Sequence, residues 1–311
     1  MRDTQKSSAT TRDTFAAQPT VGVIGVGTMG DPIARRIADA FEVVAFDIDA
    51  DRLEAIADAG VGPADSARDL GRRSDVVLLS LPSSDAVEAA VFGGDGVLSG
   101  LSEHDVLVDT GTVDPETTES VATAAREVGV EFLDIPVSGG PRNATTGELT
   151  AMAGGDGDVL ELIQPVIECF SDTIYHVGDV GSGIAMKLAN NYMLAVNSAV
   201  VCESLAMARR AGIDDEAFFR VASNASGDSY ALRRNLGGFV LPGEYDAEAA
   251  VSILRKDVFL AEGLGRELGV PLLAGGETSS IYRLAEDRGL ADRDFAALLA
   301  LYDPDEDVVP A

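Results

Sequence analysis

The stretch GSGIAMKLANNY, Gly181 to Tyr192, sets Lys187 in an apolar run and follows it with Asn190 and Asn191. Lysine is otherwise almost absent: only Lys6 and Lys256 accompany it, although arginine is used freely. At helical spacing Lys187 and Asn191 share a face, and Asn190, Leu194, Asn197 and Ser198 extend that stripe. A lysine on a buried polar stripe gives up its proton more readily than one in water, because desolvation disfavours the ammonium. Such an amine can take and return a proton near neutral pH, as general acid–base chemistry requires. An asparagine beside it orients the amine or a substrate oxygen without adding charge. The competing reading is a solvated lysine whose stem lies on apolar surface. In a chain that has discarded surface lysine, the buried reading carries more weight.

A second group lies in DIPVSGGPRNATTGELTAMAGG. Ser138, Gly139 and Gly140 follow an apolar strand run and so fall at a carboxyl end of a sheet, the edge where open α/β folds bind ligands. A hydroxyl with two glycine N–H groups makes a small anion nest, which fits a substrate carboxylate. A plain Gly-Gly turn is the alternative.

Gly25, Gly27 and Gly30 form G-x-G-x-x-G. The spacing alone is weak, but here it follows an apolar strand, opens a helix and precedes a second strand closed by Asp47, which completes the dinucleotide fingerprint. The phosphates would sit at the helix N-terminus, where unpaired N–H groups and the helix dipole favour anions. Asp47 stands where a carboxylate accepts hydrogen bonds from the adenosine ribose hydroxyls and repels a 2′-phosphate. Ile48 follows it, so no arginine is available to clamp such a phosphate. NAD is therefore expected over NADP. A bare glycine turn, or a strand-end aspartate serving only its own turn, would be the structural alternatives.

These residues need a scaffold. TVGVI, EVVAF, DVVLL, DVLVD and EFLDI read as buried strands, with helical segments such as SDAVEAAVF and PETTESVATAAREVG between them. Alternating strands and helices imply βαβ units, hence a doubly wound α/β Rossmann domain with a mostly parallel sheet. After Gly178 the pattern changes. Residues 183–212 read as one long helical stretch, apolar on most faces and suited to a central position between two bodies, and DEAFFRVASN, VSILRKDVFLAEGLGRELG, SSIYRLAEDRG and DFAALLALY read as further helices. The expected organisation is a disordered leader over residues 1–19, a dinucleotide-binding domain over 20–178, an all-α domain for substrate and self-association over 179–302, and a loose acidic tail over 303–311.

The chain has 311 residues, 46% of them hydrophobic, and a formal charge of -29. The acids are dispersed, so neither nucleic acid nor an anionic membrane surface is an expected partner. Dispersed acids with few lysines suit a surface adapted to high salt, where self-repulsion is screened. Two cysteines, Cys169 and Cys202, form neither a disulfide framework nor a metal cluster, and no metal is expected. The N-terminus lacks the apolar core of a signal peptide and no charge-free apolar stretch is long enough to span a bilayer, so a cytoplasmic location is expected.

Taken in order, these segments resemble the β-hydroxyacid dehydrogenase family, from about Val21 to Leu301. GVIGVGTMGDPIA is similar to its cofactor loop, DTGTVDP to its D-x-S-T-x-x-P segment with Gly111 in place of serine, DIPVSGG…GELTAMAGG to its substrate segment, GSGIAMKLANN to its G-x-G-x-x-x-K-x-x-N-N, and RKD at 255–257 to its late Lys-Asp pair. The resemblance implies a dimer or tetramer. It implies Lys187 as catalytic acid–base with Asn191 as helper, and a substrate carboxylate held by Ser138, Gly139 and Gly140. It places Thr28 and Met29 of the glycine loop, Leu81, Pro82, Thr112 and Lys256 at the cofactor. The implied reaction is hydride transfer between NAD and a small 3-hydroxy acid, of the 3-hydroxyisobutyrate kind, or its semialdehyde. Tartronate semialdehyde reduction is an alternative. A non-catalytic dinucleotide-binding interaction domain is another, disfavoured because Lys187 is retained, as is an imine-reducing relative. Asn190 stands where decarboxylating 6-phosphogluconate dehydrogenases carry histidine, which argues against that reaction.

Overall fold

The computed structural model describes residues 18–303. Most of the leader expected over residues 1–19 and of the tail expected over 303–311 lies outside the described residues. Short runs of β-branched and leucine residues form the strands β1 (Val21–Ile24), β2 (Val43–Phe46), β3 (Gly62–Pro63), β4 (Val76–Leu79), β5 (Val106–Asp109) and β6 (Glu131–Asp134). Three more follow: β7 (Val137–Ser138), β8 (Leu149–Gly154) and β9 (Ser171–Gly178). The sheet order is β3-β2-β1-β4-β5-β6-β8-β7, with β9 also paired to β8. All pairings are parallel except those of β8 with β6 and β7.

Register puts the carboxyl ends in one row. Ile24 pairs with both Phe46 and Leu79, Leu79 with Asp109, and Asp109 with Asp134. Whatever follows these five residues is delivered to the same edge of the sheet.

The helices α1 (Gly30–Ala38), α2 (Ala50–Ile56), α3 (Ala67–Arg72), α4 (Ser84–Phe92), α5 (Pro115–Glu127), α6 (Gly140–Thr146) and α7 (Gly157–Ile167) fill the connections. Side chains alternate across the strands. Val76 and Leu78 join one core with Ile33, Ile37, Ile163 and Phe170, whereas Val77 and Leu79 join another with Leu70, Val87 and Val121. Both faces are therefore covered, as a parallel sheet requires, and the doubly wound α/β class stands.

The chain clusters into two compact units, one ending at Lys187 and one beginning at Leu188. The division falls inside α8 (Ser182–Arg210). The second unit contains α9 (Asp215–Ala222), α10 (Tyr230–Asn235), α11 (Val251–Glu267), α12 (Leu273–Asp287) and a 3-10 turn over Phe295–Leu301, where the sequence pattern suggested a helix. Its core is built on Tyr282, Phe295, Leu298 and Leu299. Arg234 runs through that core between the rings of Phe239 and Phe295, 4.3 and 4.1 Å from their centroids, and pairs with the buried Asp294 at 2.6 Å. Among the described residues no helix is long and apolar enough to cross a membrane.

α8 departs from expectation. It is not covered on every side: Met186, Met193, Val200 and Met207 are 42%, 54%, 52% and 70% exposed.

Candidate active site

The glycine loop joins β1 to α1. Gly25 turns the chain at φ 89°, a left-handed value that other residues rarely take. A Cβ on Gly30 would collide with the Gly25 carbonyl, so the helix could not start this close to the turn. Among the described residues the N–H groups of Gly27, Thr28 and Met29 find no protein acceptor, as expected of a helix start. Gly27 is half-buried and Thr28 exposed. This is a cradle of backbone donors with room for a phosphate, and the residues present fit a dinucleotide.

Asp47 is 8% exposed. Its Oδ2 accepts from the Val26 N–H at 2.9 Å and its Oδ1 from the Asp49 N–H at 2.9 Å. The carboxylate thus fixes the loop and its own turn together. Each oxygen keeps a second lone pair for a ribose hydroxyl. The reading that no arginine stands nearby is corrected: Arg52, on α2, lies 3.7 Å from Asp47 Oδ2 and 3.4 Å from Asp49. One helical turn carries it back over Gly27, where an added Cβ would meet its Nη1 at 3.2 Å.

Leu81 and Pro82 follow β4, and Thr112 follows β5, at the same sheet edge. The Leu81 side chain packs beside Gly25, where a Cβ would meet its Cδ2 at 2.9 Å. Pro82 is exposed and Thr112 half-buried. The Gly111 N–H donates to Asp109 Oδ1 at 2.8 Å.

β6 ends in Asp134, which is 2% exposed. Its two oxygens accept from the N–H groups of Gly181 and Ile184, each at 2.8 Å. The carboxylate therefore pins the first turn of α8 to the sheet edge. Its pKa is raised, because burial outweighs the N–H groups that favour its charge. Gly183 completes the junction: a Cβ there would run into Asp134 and into the Met152 carbonyl, Met152 O at 2.5 Å. This accounts physically for the second glycine of GSGIAMK. Lys187 follows within one turn and is 8% exposed, the one buried lysine among the described residues.

Ser138 pairs with Thr150 at the end of β7. Gly139 and Gly140 both take positive φ, 137° and 74°. A Cβ on Gly140 would meet nothing within 4 Å, so this turn faces open space.

In the second unit, Asn191 and Asp257 are buried at 5% and 1% exposure. Asn191 Nδ2 donates to Asp257 Oδ2 at 2.6 Å, and Asn190 Nδ2 to Asn191 Oδ1 at 3.1 Å. The Lys256 ammonium lies 3.2 Å from Asp257 Oδ1. The polar stripe ends sooner than the sequence suggested. Asn197 is exposed, having rotated ~80° off the Lys187 face over ten residues. Ser198 donates its hydroxyl to the Leu194 carbonyl at 2.7 Å, within its own helix.

Residues 20–178 match the family described as the NAD binding domain of 6-phosphogluconate dehydrogenase. Residues 181–302 match that described as the NAD-binding domain of NADP-dependent 3-hydroxyisobutyrate dehydrogenase. The chain is 34% identical to 2-(hydroxymethyl)glutarate dehydrogenase of Eubacterium barkeri, over 91% of this chain and 94% of that one. It is 32% identical to NAD-dependent L-serine dehydrogenase of Pseudomonas aeruginosa, over 91% and 98%. Among solved structures, Mycobacterium tuberculosis 3-hydroxyisobutyrate dehydrogenase with L-serine superposes with a TM-score of 0.84 at 27% identity, over 92% of this chain and 99% of that one.

Proposed function

Given that this chain belongs to the β-hydroxyacid dehydrogenases, NAD(P)-dependent enzymes acting on a CH–OH group, we propose that it interconverts a small 3-hydroxy acid and its semialdehyde, with Lys187 as the acid–base group. The observation that carries the proposal is the placement of Lys187: a buried lysine, one turn beyond a helix start that Asp134 holds at the carboxyl edge of the sheet.

The substrate class follows from chemistry shared by the relatives' names. 2-(Hydroxymethyl)glutarate, L-serine and 3-hydroxyisobutyrate are all 3-hydroxypropionates substituted at C2. Each sets a carboxylate two bonds from the carbinol carbon. Ser138 and the glycine turn at Gly139 and Gly140 offer one hydroxyl and two backbone donors for that carboxylate. The C2 substituent is what differs, and 3-hydroxyisobutyrate is the member we assign first.

A bound nicotinamide dinucleotide would supply the hydride-transfer chemistry. The chain's own part is position and proton. The N–H groups after Gly25 would hold the pyrophosphate and Asp47 the ribose, with Leu81, Pro82 and Thr112 along the adjoining edge. In oxidation Lys187 Nζ takes the hydroxyl proton, and in reduction it returns one to the forming alkoxide. Asn191, one turn further along α8, orients the reacting oxygen. Lys256, which pairs with Asp257, is assigned to the cofactor by resemblance. Asp47 favours NAD over NADP.

The test is absorbance at 340 nm with 3-hydroxyisobutyrate, L-serine, glycerate, 4-hydroxybutyrate and 6-phosphogluconate, for the native chain and Lys187→Ala. Turnover confined to C2-substituted 3-hydroxypropionates, lost by orders of magnitude in the variant while NAD binding persists, is expected. Near-native turnover without Lys187, or a preference for 6-phosphogluconate, overturns the proposal.

A further inference from the structure

The loops after β4 and β5 share a contact that neither the strands nor the helices require. The sheet order reverses between β1 and β4, and open α/β folds take their ligands in the crevice outside the carboxyl ends at such a point. The loop after β4 forms one wall of that crevice. A Cβ on Gly25 would collide with the Ser80 carbonyl, and one on Gly30 would come within 3.2 Å of Ser80 Cβ. The loop after β5 lies against the back of the wall: a Cβ on Gly111 would meet the Leu81 carbonyl at 3.1 Å. Leu81 is therefore packed between Gly25 and Gly111, and a shift of the loop after β5 is passed through it to the glycine loop.

Backbone rungs hold the start of this stack. The Ser80 N–H donates to the Ile24 carbonyl at 2.8 Å and the Thr110 N–H to the Leu79 carbonyl at 2.9 Å. Past these rungs both loops leave the sheet, and Ser84 and Asp114 join them again. The Ser84 hydroxyl donates to Asp114 Oδ2, and its oxygen accepts from the Asp114 N–H at 3.2 Å. The helix ends are served by other groups. Ser83 caps α4, its Oγ accepting from the Ala86 N–H at 3.3 Å. Asp114 caps α5, accepting from the Thr117 N–H at 2.8 Å and the Thr117 hydroxyl at 2.9 Å. Burial alone would raise the Asp114 pKa, yet the donors from Ser84 and Thr117 bring it below the ordinary 3.8. At neutral pH Ser84 therefore meets a carboxylate, and the bond is charge-assisted. We propose that Ser84 is a positioning residue for the cofactor: through Asp114 it fixes the spacing of the loops after β4 and β5 and holds Leu81 against the glycine loop before the dinucleotide binds. A wall that is already ordered gives up less conformational freedom on binding, so the gain is in affinity. The role concerns the cofactor alone and holds whichever hydroxy acid is turned over.

Fluorescence titration of the full chain with NADH reads the affinity, and urea unfolding reads the stability. Ser84→Ala is expected to raise the Kd for NADH about tenfold, the equivalent of one charge-assisted hydrogen bond. Ser84→Thr keeps the hydroxyl and should keep the Kd within about twofold. Ser83→Ala is the control. It removes the cap of α4 and not the link to Asp114, so it should lower the urea midpoint while the Kd stays within about twofold. Without cofactor, amide hydrogen exchange at Leu81, Gly111 and Thr112 should quicken in Ser84→Ala. A Kd indifferent to Ser84→Ala overturns the proposal, as does a Ser84→Thr chain that binds no better than Ser84→Ala. An equal rise in Ser83→Ala also overturns it, by tracing the effect to the stability of α4.

Discussion

Asn191 donates to Asp257 across 66 residues of sequence, Nδ2 to Oδ2 at 2.6 Å, and neither side chain reaches solvent appreciably. The contact ties the middle of α8 to α11. It also joins two motifs that the sequence shows only as separate words. Removing the amide leaves a buried carboxylate short of a donor, and such losses cost about 1.5–3 kcal/mol when the acceptor is charged. Asn191→Leu is expected to show a loss of that size in urea unfolding at pH 7. Asp257→Asn keeps the shape and should lose less. Unchanged midpoints in both would mean that the contact contributes nothing to folding.

The clamp at Asp134 makes a separable prediction. Its two oxygens hold the N–H groups of Gly181 and Ile184, while the glycine loop lies three strands away in sheet order. Asp134→Ala frees the first turn of α8 and with it Lys187. Turnover is expected to fall at least about tenfold, since small misplacements of reacting groups are costly. NAD affinity, measured by fluorescence titration, should stay within about twofold, because the loop's own hydrogen bonds are untouched. A parallel loss of both would assign Asp134 to the fold of the whole unit and not to the placement of α8.

Asp105 sets a pH dependence of stability. Its pKa is raised from 3.8 to about 6, first by burial and then by the nearby Asp75 charge, against the Ser102 N–H and His104, which lower it. The folded state therefore holds a proton that the unfolded chain has released. Between about pH 4 and pH 6 stability falls as pH rises, and above pH 6 the penalty is fully present. Asp105→Asn removes the charge and keeps an oxygen for the Ser102 N–H, which Asp105 accepts at 2.6 Å. The variant should melt higher than the native chain at pH 7, with the gap closing towards pH 4. A gap independent of pH would trace the effect to packing.

What the sequence shows of this protein depends on how local each cause is. β1, Gly25 and Gly30 are legible because strand, turn and helix follow within a few residues and each constrains the next. The doubly wound sheet follows from repetition of that unit. Asp134 is not legible: its partners lie 47 and 50 residues downstream, and DIPVSGG draws the eye to Ser138 instead. The helices Ala67–Arg72 and Tyr230–Asn235 are short, and their Ser66 and Ser229 caps are the only local signals. The apolar character of α8 is plain in the sequence, whereas its exposed side depends on which faces the rest of the second unit covers.

Arg52 bears on cofactor choice. Ile48 is the neighbour of Asp47 in sequence, yet α2 turns Arg52 back to 3.7 Å from that carboxylate. Its side chain is 53% exposed and is shared between Asp47 and Asp49, so the ion pairs are weakly held. Asp47 disfavours a 2′-phosphate by like charge, while Arg52 offers the phosphate a guanidinium. The two effects oppose, which makes the discrimination against NADP smaller than Asp47 alone would give. Asp47→Asn should raise kcat/KM for NADP about tenfold and lower it for NAD, since a charge-assisted hydrogen bond to the ribose is worth about 1.4 kcal/mol or more. Arg52→Ala should lower kcat/KM for NADP and leave NAD nearly unchanged. The double variant separates repulsion from attraction: if Arg52 reaches the 2′-phosphate, its removal must cost NADP more in the Asp47→Asn background, where no carboxylate competes for the guanidinium. An equal cost in both backgrounds would mean that Arg52 serves only the acids of its own turn.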